Sequence, residues 1–540
     1  MSVQVTFLGG LGEIGRNCAA VEIDGRIALI DCGLMFPEEH MLGVDLVLPD
    51  FSWLVERRDD VECVILTHGH EDHVGALSYF LAEINVPVYG TRLSVELASS
   101  RVEENGIDAD FRALADNTWT EHGPFRFKLV PVSHSIPDGA AVALDTSEGI
   151  IVHSGDFKLD PTPVDGRPTD LPTFAELGRE GVRLLLSDST NAERPGFVPS
   201  ESSLGHSLYD IIAESRGRVI AACFASHLHR VQQIADAAID SGRKIAFLGR
   251  SMVRNVDIAS TLEVLDIPAK RIIAIEAVGD MDPSEVCVIS TGSQGEPFAA
   301  LSLMAAGEHR SVTLEEGDTV LISATPIPGN EKSVSRVING LTRRGAHVFH
   351  GRNANVHVSG HGSRDELLTF LNVVRPQAFV PVHGEYRHLK AHADLAEKMK
   401  VPDVVVCEDG DAVVLDGDET IVRRNAVPAG YVYLDGTGVG DVRRAIRDRR
   451  HLADDGVIVV TVGVDMQTSE FVHGPDLDSH GFMDAPDPVL KAAAAEIVNL
   501  VGTGKTDADN VRRKIVQAVR TVTRRETARR PVVIPVVIEF

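Results

Sequence analysis

The chain has 540 residues, more than one hydrophobic core supports, so two or three domains are expected. Hydrophobic residues at 44% and charged residues at 24% suit a water-soluble globular protein, and no run of 18 apolar residues suggests a membrane span. A formal net charge of −27 argues against a general electrostatic affinity for nucleic acid.

The charge is uneven along the chain. Arg343, Arg344 and Arg352 lie near one another, as do Arg443, Arg444, Arg447, Arg449 and Arg450. The last thirty or so residues add Arg512, Arg513, Lys514, Arg524, Arg525, Arg529 and Arg530. The ordinary reading of such clusters is a solvated face, although a local groove for a polyanion is compatible with them. The six cysteines are scattered without a C-x-x-C pair and read as reduced core residues of a cytoplasmic protein. MSVQVTFLGG lacks the basic start and apolar stretch of a signal peptide, so export is not expected.

The opening VQVTFLGGLGEIGRN contains Gly10-x-Gly12-x-x-Gly15, a formal match to the dinucleotide fingerprint. That fingerprint needs a helix to follow, so that its N-terminus can face a pyrophosphate. Here VEI and IALI flank Asp24-Gly25, a hairpin signal, and the glycines are expected to shape a loop close to a site. The runs at 61–67, 87–90, 125–132, 141–146, 149–155 and 182–188 read as strands, and 74–84 and 93–104 carry helical spacing. Several strands end in polar residues: Thr67, Ser133-His134, Ser154-Gly155-Asp156 and Asp188. Function in layered folds gathers at such ends.

After SDSTNAERPGFVPSE (187–201) the pattern changes. RVIAACF, RKIAFLG, VCVIST and TVLIS are continuous apolar runs separated by helical stretches, as in a parallel α/β unit. Strands ending in histidine return in 347–367 and 377–389, which suggests that the first domain resumes and the parallel unit is an insertion. LDGTGVGDVRRAIRDRR looks like a connector. The remainder, with the strand runs VIVVTVGV and VVIPVVI around a helical middle (487–528), suggests a small α+β domain.

LTHGHEDHVGAL places His68, His70, Asp72 and His73 within six positions. In extended geometry His68 and His70 project the same way, because side chains alternate with period two. After a turn, Asp72 and His73 can serve a second point a few Å away. Four residues thus supply two ligands to each of two neighbouring ions, and imidazole with carboxylate suits Zn²⁺, with Mn²⁺ a lesser fit. Packing such a set without a ligand would cost desolvation and repulsion for no gain. Each ion needs further ligands, and His134, Asp156 and His383 at strand ends are the candidates. Glu71 has no evident chemical role.

HGHEDH, with His134, Asp156 and His383 behind it, resembles the metallo-β-lactamase superfamily. The resemblance implies one zinc held by His68, His70 and His134 and a second held by Asp72, His73 and His383, with Asp156 bridging. SDST (187–190), SGHGS (359–363) and VHGE (382–385) resemble the extra motifs of the β-CASP nucleases, with Asp188, His361 and His383 at the matching positions. GGLGEIGRN, ALIDCGLMFP, GVDLVLPDF, DSTNAERPGF, FASHLHRVQQI, STGSQGEP, HVSGHGSRDEL and the RRPVVIPVV tail are similar to the ribonuclease J enzymes over essentially the whole chain. Leu228, between His227 and His229, departs from the smaller or β-branched residue expected there.

The fold so implied is α/β: an αββα sandwich (1–199 and 346–430) with an inserted parallel α/β β-CASP domain (200–345), a linker (431–452) and a small C-terminal α+β domain (453–540). The implied activity is metal-dependent hydrolysis of single-stranded RNA, 5′→3′ exonucleolytic and endonucleolytic, in rRNA processing, RNA maturation and mRNA decay. Products would carry 5′-phosphate and 3′-hydroxyl ends. Asp72, Asp156 and His361 are the implied catalytic residues, with His361 near the leaving 3′ oxygen. A pocket for a 5′-monophosphate is carried over to His357, Val358, Ser359, Gly360, His361 and Ser226, whose hydroxyls, amides and imidazoles suit a phosphate. Arg230 and the Ser293-Gln294 loop are candidates for touching RNA or for structural roles.

The resemblance also implies homodimers or homotetramers, RNA-degradation partners, no membrane contact and a cytoplasmic location. A structural Ca²⁺, with Asp45 and Asp435 as conceivable ligands, belongs to the same set of expectations. The rivals are a β-CASP nuclease acting on DNA and a non-catalytic scaffold.

Overall fold

The computed structural model describes residues 3–540 apart from 39, 297–298, 328, 437, 441–442, 466–467, 469 and 502–506. Pro297 of STGSQGEP, and Thr437, Asp441 and Val442 of the expected linker, lie outside the described residues. The chain forms two compact units, one of 1–36 with 47–432 and one of 37–46 with 433–540.

Two sheets face each other in the larger unit. The first has eight strands in the order Glu419–Arg423, Ala412–Asp416, Val3–Gly9, Cys18–Ile23, Arg26–Ile30, Val61–Ile65, Val88–Gly90 and Phe111–Ala113. The second has seven: Asp403–Val404, Ala378–Val382, Val182–Asp188, Gly149–His153, Ala140–Thr146, Phe125–Pro131 and Thr120–His122. Val5, Phe7, Val21 and Ile65 of the first pack on Phe127, Leu129, Val142 and Leu184 of the second in one buried core. The second sheet's outer face is covered by helices Leu171–Glu180, Arg364–Val374 and Tyr386–Lys398, through Phe174, Phe370 and Leu395. Helix Arg92–Glu104 lies against the far end of the first sheet. The result is the expected αββα sandwich.

The Asp24-Gly25 signal is realised as a tight hairpin: Cys18–Ile23 pairs antiparallel with Arg26–Ile30, and both turn residues have positive φ (52° and 79°). That is the backbone a two-residue primed turn requires. The glycine-rich opening does not lead into a helix: Leu11–Gly12 pairs as a short parallel strand with Gly384–Glu385, and Gly10 accepts the backbone N–H of His383 at 3.1 Å.

Between 201 and 350 the chain builds a five-stranded, wholly parallel sheet in the order Lys244–Leu248, Val286–Ser290, Val219–Ala222, Thr319–Ile322 and His347–His350. Helices cover both faces, one through Leu208, Val231 and Ile234, the other through Leu301, Met304 and Leu341. Burial on both sides explains why the first four of these strands read as unbroken apolar runs, whereas the edge strand His347–His350 is half-exposed.

In the smaller unit, Val457–Val464 pairs with Val532–Glu539 on one side and with Phe471–His480 on the other. Helices Asp487–Val501 and Ala508–Thr527 pack on this sheet through Ile497, Ile515 and Val519. Phe471–His480 (FVHGPDLDSH) escaped the sequence reading because it is an edge strand, half-buried to exposed throughout, and mostly polar. Asp45 here accepts the backbone N–H of Gly436 at 2.7 Å, while Asp435 pairs with Arg449 at 2.5 Å. A guanidinium thus already neutralises one of the two carboxylates considered for calcium.

One buried ionic cluster of the larger unit carries a pH prediction. Arg16, fully buried, pairs with Glu13 (2.7 Å) and Asp409 (2.8 Å), and its guanidinium lies 4.5 Å from the Tyr431 ring. Burial and neighbouring Glu13 push the Asp409 carboxyl up to about 8. A group whose folded pKa lies above its unfolded value stabilises the fold fully below the unfolded value, near 4, and that contribution is lost as pH rises to about 8. Denaturant unfolding of Asp409→Asn is therefore expected to depend less on pH between 5 and 9 than that of the unmodified protein. Parallel pH dependences would remove Asp409 from the account.

Candidate metal centre

Five strands deliver their C-terminal ends to one edge of the sandwich. Val61–Ile65 leads to His68, Phe125–Pro131 to His134, Gly149–His153 to Asp156, Val182–Asp188 ends on Asp188, and Ala378–Val382 leads to His383. His70 keeps an extended backbone (φ −73°, ψ 151°), and the short helix Glu71–Val74 then begins, turning Asp72 and His73 toward a second point. Close packing fixes that turn: a Cβ on Gly33 would lie 1.6 Å from the Asp72 carbonyl oxygen.

All seven expected ligands converge. His68, His70, His134 and Asp156 form one group whose ligand atoms lie within 4.8 Å of one another, and Asp72, His73, Asp156 and His383 form another. Asp156 Oδ2 belongs to both. It lies 3.7 Å from His68 Nε2, 3.8 Å from His134 Nε2, 3.2 Å from His73 Nε2 and 3.4 Å from His383 Nε2. His70 faces this centre through Nδ1, which is 3.0 Å from His68 Nε2 and 3.3 Å from His134 Nε2. Asp72 Oδ2 stands 3.7 Å from His73 Nε2 and 3.9 Å from His383 Nε2.

The outward nitrogens are tied down. His68 Nδ1 meets the Thr67 hydroxyl at 3.0 Å, His73 Nδ1 meets Asp31 Oδ2 at 2.7 Å, and His134 Nδ1 donates to the Gly360 carbonyl at 2.8 Å. His383 Nδ1 lies 3.0 Å from Asn17 Oδ1. Such partners fix ring orientation and tautomer, leaving the inward nitrogen for a metal. Burial and neighbouring imidazoles hold His68 and His134 well below the usual histidine range, and burial takes His70 down to about 4. These are neutral rings, the form in which histidine binds a metal. His73 behaves oppositely: burial opposes its charge, but Asp156 and Asp31 drive it well above the usual range. A positive charge is favoured between those carboxylates. Burial also works against Asp156, yet His383, His73 and His361 keep it well below the usual carboxylate range. Neutral nitrogens on His68, His70 and His134, a carboxylate common to both groups and a demand for positive charge at His73 fit divalent cations.

Asp31 and Asn17 were missed by sequence reasoning. Asp31 Oδ2 also accepts the Thr67 hydroxyl at 2.8 Å, and the Asn17 amide donates to the Asp72 carbonyl at 3.1 Å. Arg16, Asp31 and His383 all have left-handed backbone (φ 54°, 61° and 53°), unusual for residues other than glycine, and strain of this kind gathers at functional sites. Asp31→Asn is expected to weaken metal binding by about 10–100-fold. Competition with a chelator reads that change, and an unaltered affinity would make Asp31 a fold residue only.

His361 stands beside the second group. Its Nδ1 lies 2.8 Å from Asp188 Oδ2 and 3.9 Å from Asp156 Oδ2. Burial disfavours its charge, but Asp188 and Asp156 push it up to about 9, so the ring is protonated near neutrality. Asp156, Asp188, His361 and His383 are themselves close enough to hold an ion, although Asp188 already occupies His361 Nδ1. The HVSGH segment lies against the centre. Asn191 donates to Ser359 Oγ (2.8 Å) and the His361 carbonyl (2.7 Å), and a Cβ on Gly360 would lie 2.8 Å from the His134 ring. His357 and His227, the neighbour of Ser226, are close, with ring centroids 6.4 Å apart. The Val358 side chain is buried in the core cluster that includes Leu97 and Ile136, so its backbone is the part offered to a ligand.

Three remaining residues have structural partners. Glu71 pairs with Arg101 of the neighbouring helix. Gln294 is buried against the Thr325 carbonyl and the Ile327 N–H. Arg230 is fully buried, not on an RNA-facing surface.

Comparison with known proteins agrees with this architecture. Residues 11–191 match the metallo-beta-lactamase superfamily, 216–341 the ribonuclease J beta-CASP domain, 349–406 a Zn-dependent metallo-hydrolase RNA specificity domain and 444–540 the ribonuclease J C-terminal domain. A ribonuclease J of Mycobacterium tuberculosis (strain ATCC 25618 / H37Rv) is 44% identical over 547 residues, covering 99% of this chain and 97% of its own. Ribonuclease J2 of Bacillus subtilis (strain 168) is 40% identical, covering 100% and 99%. A structure of a protein of unknown function from Enterococcus faecalis V583 superposes with a TM-score of 0.54 at 17% identity over 77% of this chain and all of that one, a likeness of fold. The sandwich, its inserted parallel domain and the histidine–aspartate centre define a metallo-β-lactamase-type hydrolase of the β-CASP class. Within that class the identity extends over the full length and includes the C-terminal domain. The chain belongs to the ribonuclease J family, metal-dependent ribonucleases. No helix among the described residues is long and apolar enough to cross a membrane.

Proposed function

We propose that this protein hydrolyses phosphodiester bonds of single-stranded RNA, as a 5′→3′ exonuclease and an endonuclease, leaving 5′-phosphate and 3′-hydroxyl ends. The observation that carries the reading is the placement of Asp156 Oδ2 within 3.2–3.8 Å of four inward-facing histidine nitrogens, two from each ligand group. His68, His70 and His134 would hold one Zn²⁺, Asp72, His73 and His383 the other, with Asp156 shared; Mn²⁺ is the alternative ion. When bound there, the ions would supply Lewis acidity to make water nucleophilic near neutral pH and to offset charge on the phosphate.

The protein's own groups then have separate tasks. Asp72, its side chain 30% accessible, would orient the attacking water. His361, protonated and held by Asp188, delivers a proton to the leaving 3′ oxygen. His357, the Val358 backbone, Ser359, Gly360, His361 and Ser226 receive a 5′-monophosphate through hydroxyls, amides and imidazoles. Local arginine clusters would flank the RNA path despite the net charge. The working form is a cytoplasmic homodimer or homotetramer acting in RNA maturation and decay.

The test uses purified protein with Zn²⁺ or Mn²⁺ on matched single-stranded substrates. Faster attack on 5′-monophosphorylated RNA than on 5′-triphosphorylated RNA, with products bearing 5′-phosphates, is the expected result. Equal cutting of DNA would replace ribonuclease by general nuclease, and no cutting by metal-loaded protein would leave only a scaffold.

A further inference from the structure

Behind the segments proposed to receive the 5′-phosphate lies a buried ionic network separate from the seven candidate metal ligands. Arg230 (0% exposed) and Glu201 (3% exposed) form a two-point pair, Nε to Oε1 at 2.8 Å and Nη2 to Oε2 at 3.0 Å. The remaining arm of Arg230, Nη1, donates to the Val356 carbonyl at 2.8 Å and to Ser323, and stands 3.5 Å from His357 Nδ1. Ser323 Oγ donates to the same Val356 carbonyl at 2.5 Å. Arg230 is in the first turns of helix Leu228–Asp240, directly after the turn that holds Ser226 and His227. One guanidinium therefore joins the two segments of the proposed pocket, which are about 130 positions apart in sequence.

Glu201 extends the network toward the metal centre. It accepts from Gln233 Nε2 at 3.2 Å, and its backbone N–H donates to Asp160 Oδ2 at 2.8 Å. Asp160 is paired at 3.2 Å with buried Lys158, two residues beyond Asp156. Lys158 and Arg230 are balanced by Asp160 and Glu201, so the charge of Arg230 is not available to a ligand. Burying such a pair is costly and only good geometry offsets it, whereas an apolar pair of similar volume would pack without that requirement. A fixed geometry is what the ion pair provides and an apolar pair does not.

We propose that Arg230, held by Glu201, is a positioning residue for 5′-end selection: it sets the placement of His357 and the following HVSGH backbone against the Ser226 turn without touching RNA. The inference rests on the reading of these segments as the 5′-phosphate pocket. A phosphate held by backbone amides and hydroxyls is sensitive to small displacements of those groups, in the way that positioning elsewhere in enzymes is. Losing the Val356 contact should thus reduce preference for phosphorylated ends more than it reduces cleavage itself.

The experiment compares the unmodified protein with Arg230→Lys and with the double variant Arg230→Met, Glu201→Met, each metal-loaded and checked for a native unfolding transition. Substrates are 5′-monophosphorylated RNA, the same RNA with a 5′-hydroxyl, and a circular RNA that has no end. For Arg230→Lys, the ratio of kcat/KM for 5′-monophosphorylated over circular RNA is expected to fall by about tenfold or more, the effect of one lost charge-assisted hydrogen bond. The fall should appear in KM for the phosphorylated substrate. The double variant, which keeps the volume but not the geometry, should fall similarly. An unchanged ratio in Arg230→Lys, or recovery of the full ratio in the double variant, would overturn the proposal and make the pair a packing element. If the unmodified protein itself does not distinguish 5′-monophosphate from 5′-hydroxyl ends, the pocket reading fails first and the role of Arg230 falls with it.

Discussion

Asp156→Ala is expected to abolish metal loading and RNA cleavage together. Asp156 Oδ2 is the carboxylate oxygen shared by both ligand groups, and removing it deprives four buried histidine nitrogens of the anion they have in common. The loss of metal affinity should exceed the roughly 100-fold that marks the upper end for an outer-shell partner. Elemental analysis after dialysis, beside a cleavage assay at saturating metal, gives the two readouts. Asp156→Asn separates charge from shape: it keeps an oxygen ligand but removes the negative charge, so partial metal retention with little activity is expected. Retention of two ions and ordinary turnover in Asp156→Ala would contradict the assignment of the bridge.

The second large effect belongs to His361. His361→Ala should lower kcat by about 10²–10⁴-fold, the range for loss of a positioned general acid, while the metal content stays unchanged. The metal measurement matters because His361 also lies in a third set of groups close enough to hold an ion. A substrate with sulfur in place of the leaving 3′ oxygen gives the sharper test, since a thiolate departs without being protonated. The variant should recover most of its rate on that substrate, and Asp188→Asn should be rescued in the same way but from a smaller deficit. If sulfur does not narrow the gap between the variant and the unmodified protein, His361 is not the acid. Loss of an ion in His361→Ala would make it a ligand instead.

What could be read from the sequence divides along a physical line. His68, His70, Asp72 and His73 were legible because their placement follows from local geometry, an extended segment turning into a short helix. The parallel strands of the insertion were legible because two buried faces leave no polar positions. Asn17 and Asp31 were not, because one asparagine or aspartate after a strand is commonplace, and only distant pairing brings them to the rings of His383 and His73. Arg230 stayed open between an RNA contact and a structural role for a related reason. An arginine in sequence suggests surface and polyanion, and only Glu201, 29 positions away, permits its burial. The edge strand Phe471–His480 was hidden by its polar composition.

The order in which the ribosome releases this chain bears on when it can act. Val3–Gly9, made before both of its partners, sits in its sheet between Cys18–Ile23 and Ala412–Asp416, with Val3 opposite Leu415. Ala378–Val382, which carries His383, enters beside Val182–Asp188 only after the whole inserted domain has been made. Pairings so remote in sequence form late, because the intervening loop must close first. A growing polypeptide therefore exposes its histidine-rich loop long before the cradle around it exists. Premature-stop fragments ending before 378 lack both the last ligand, His383, and the strand Ala412–Asp416 that pairs with Val3–Gly9. Such fragments should be silent toward RNA, including the message from which they are being translated.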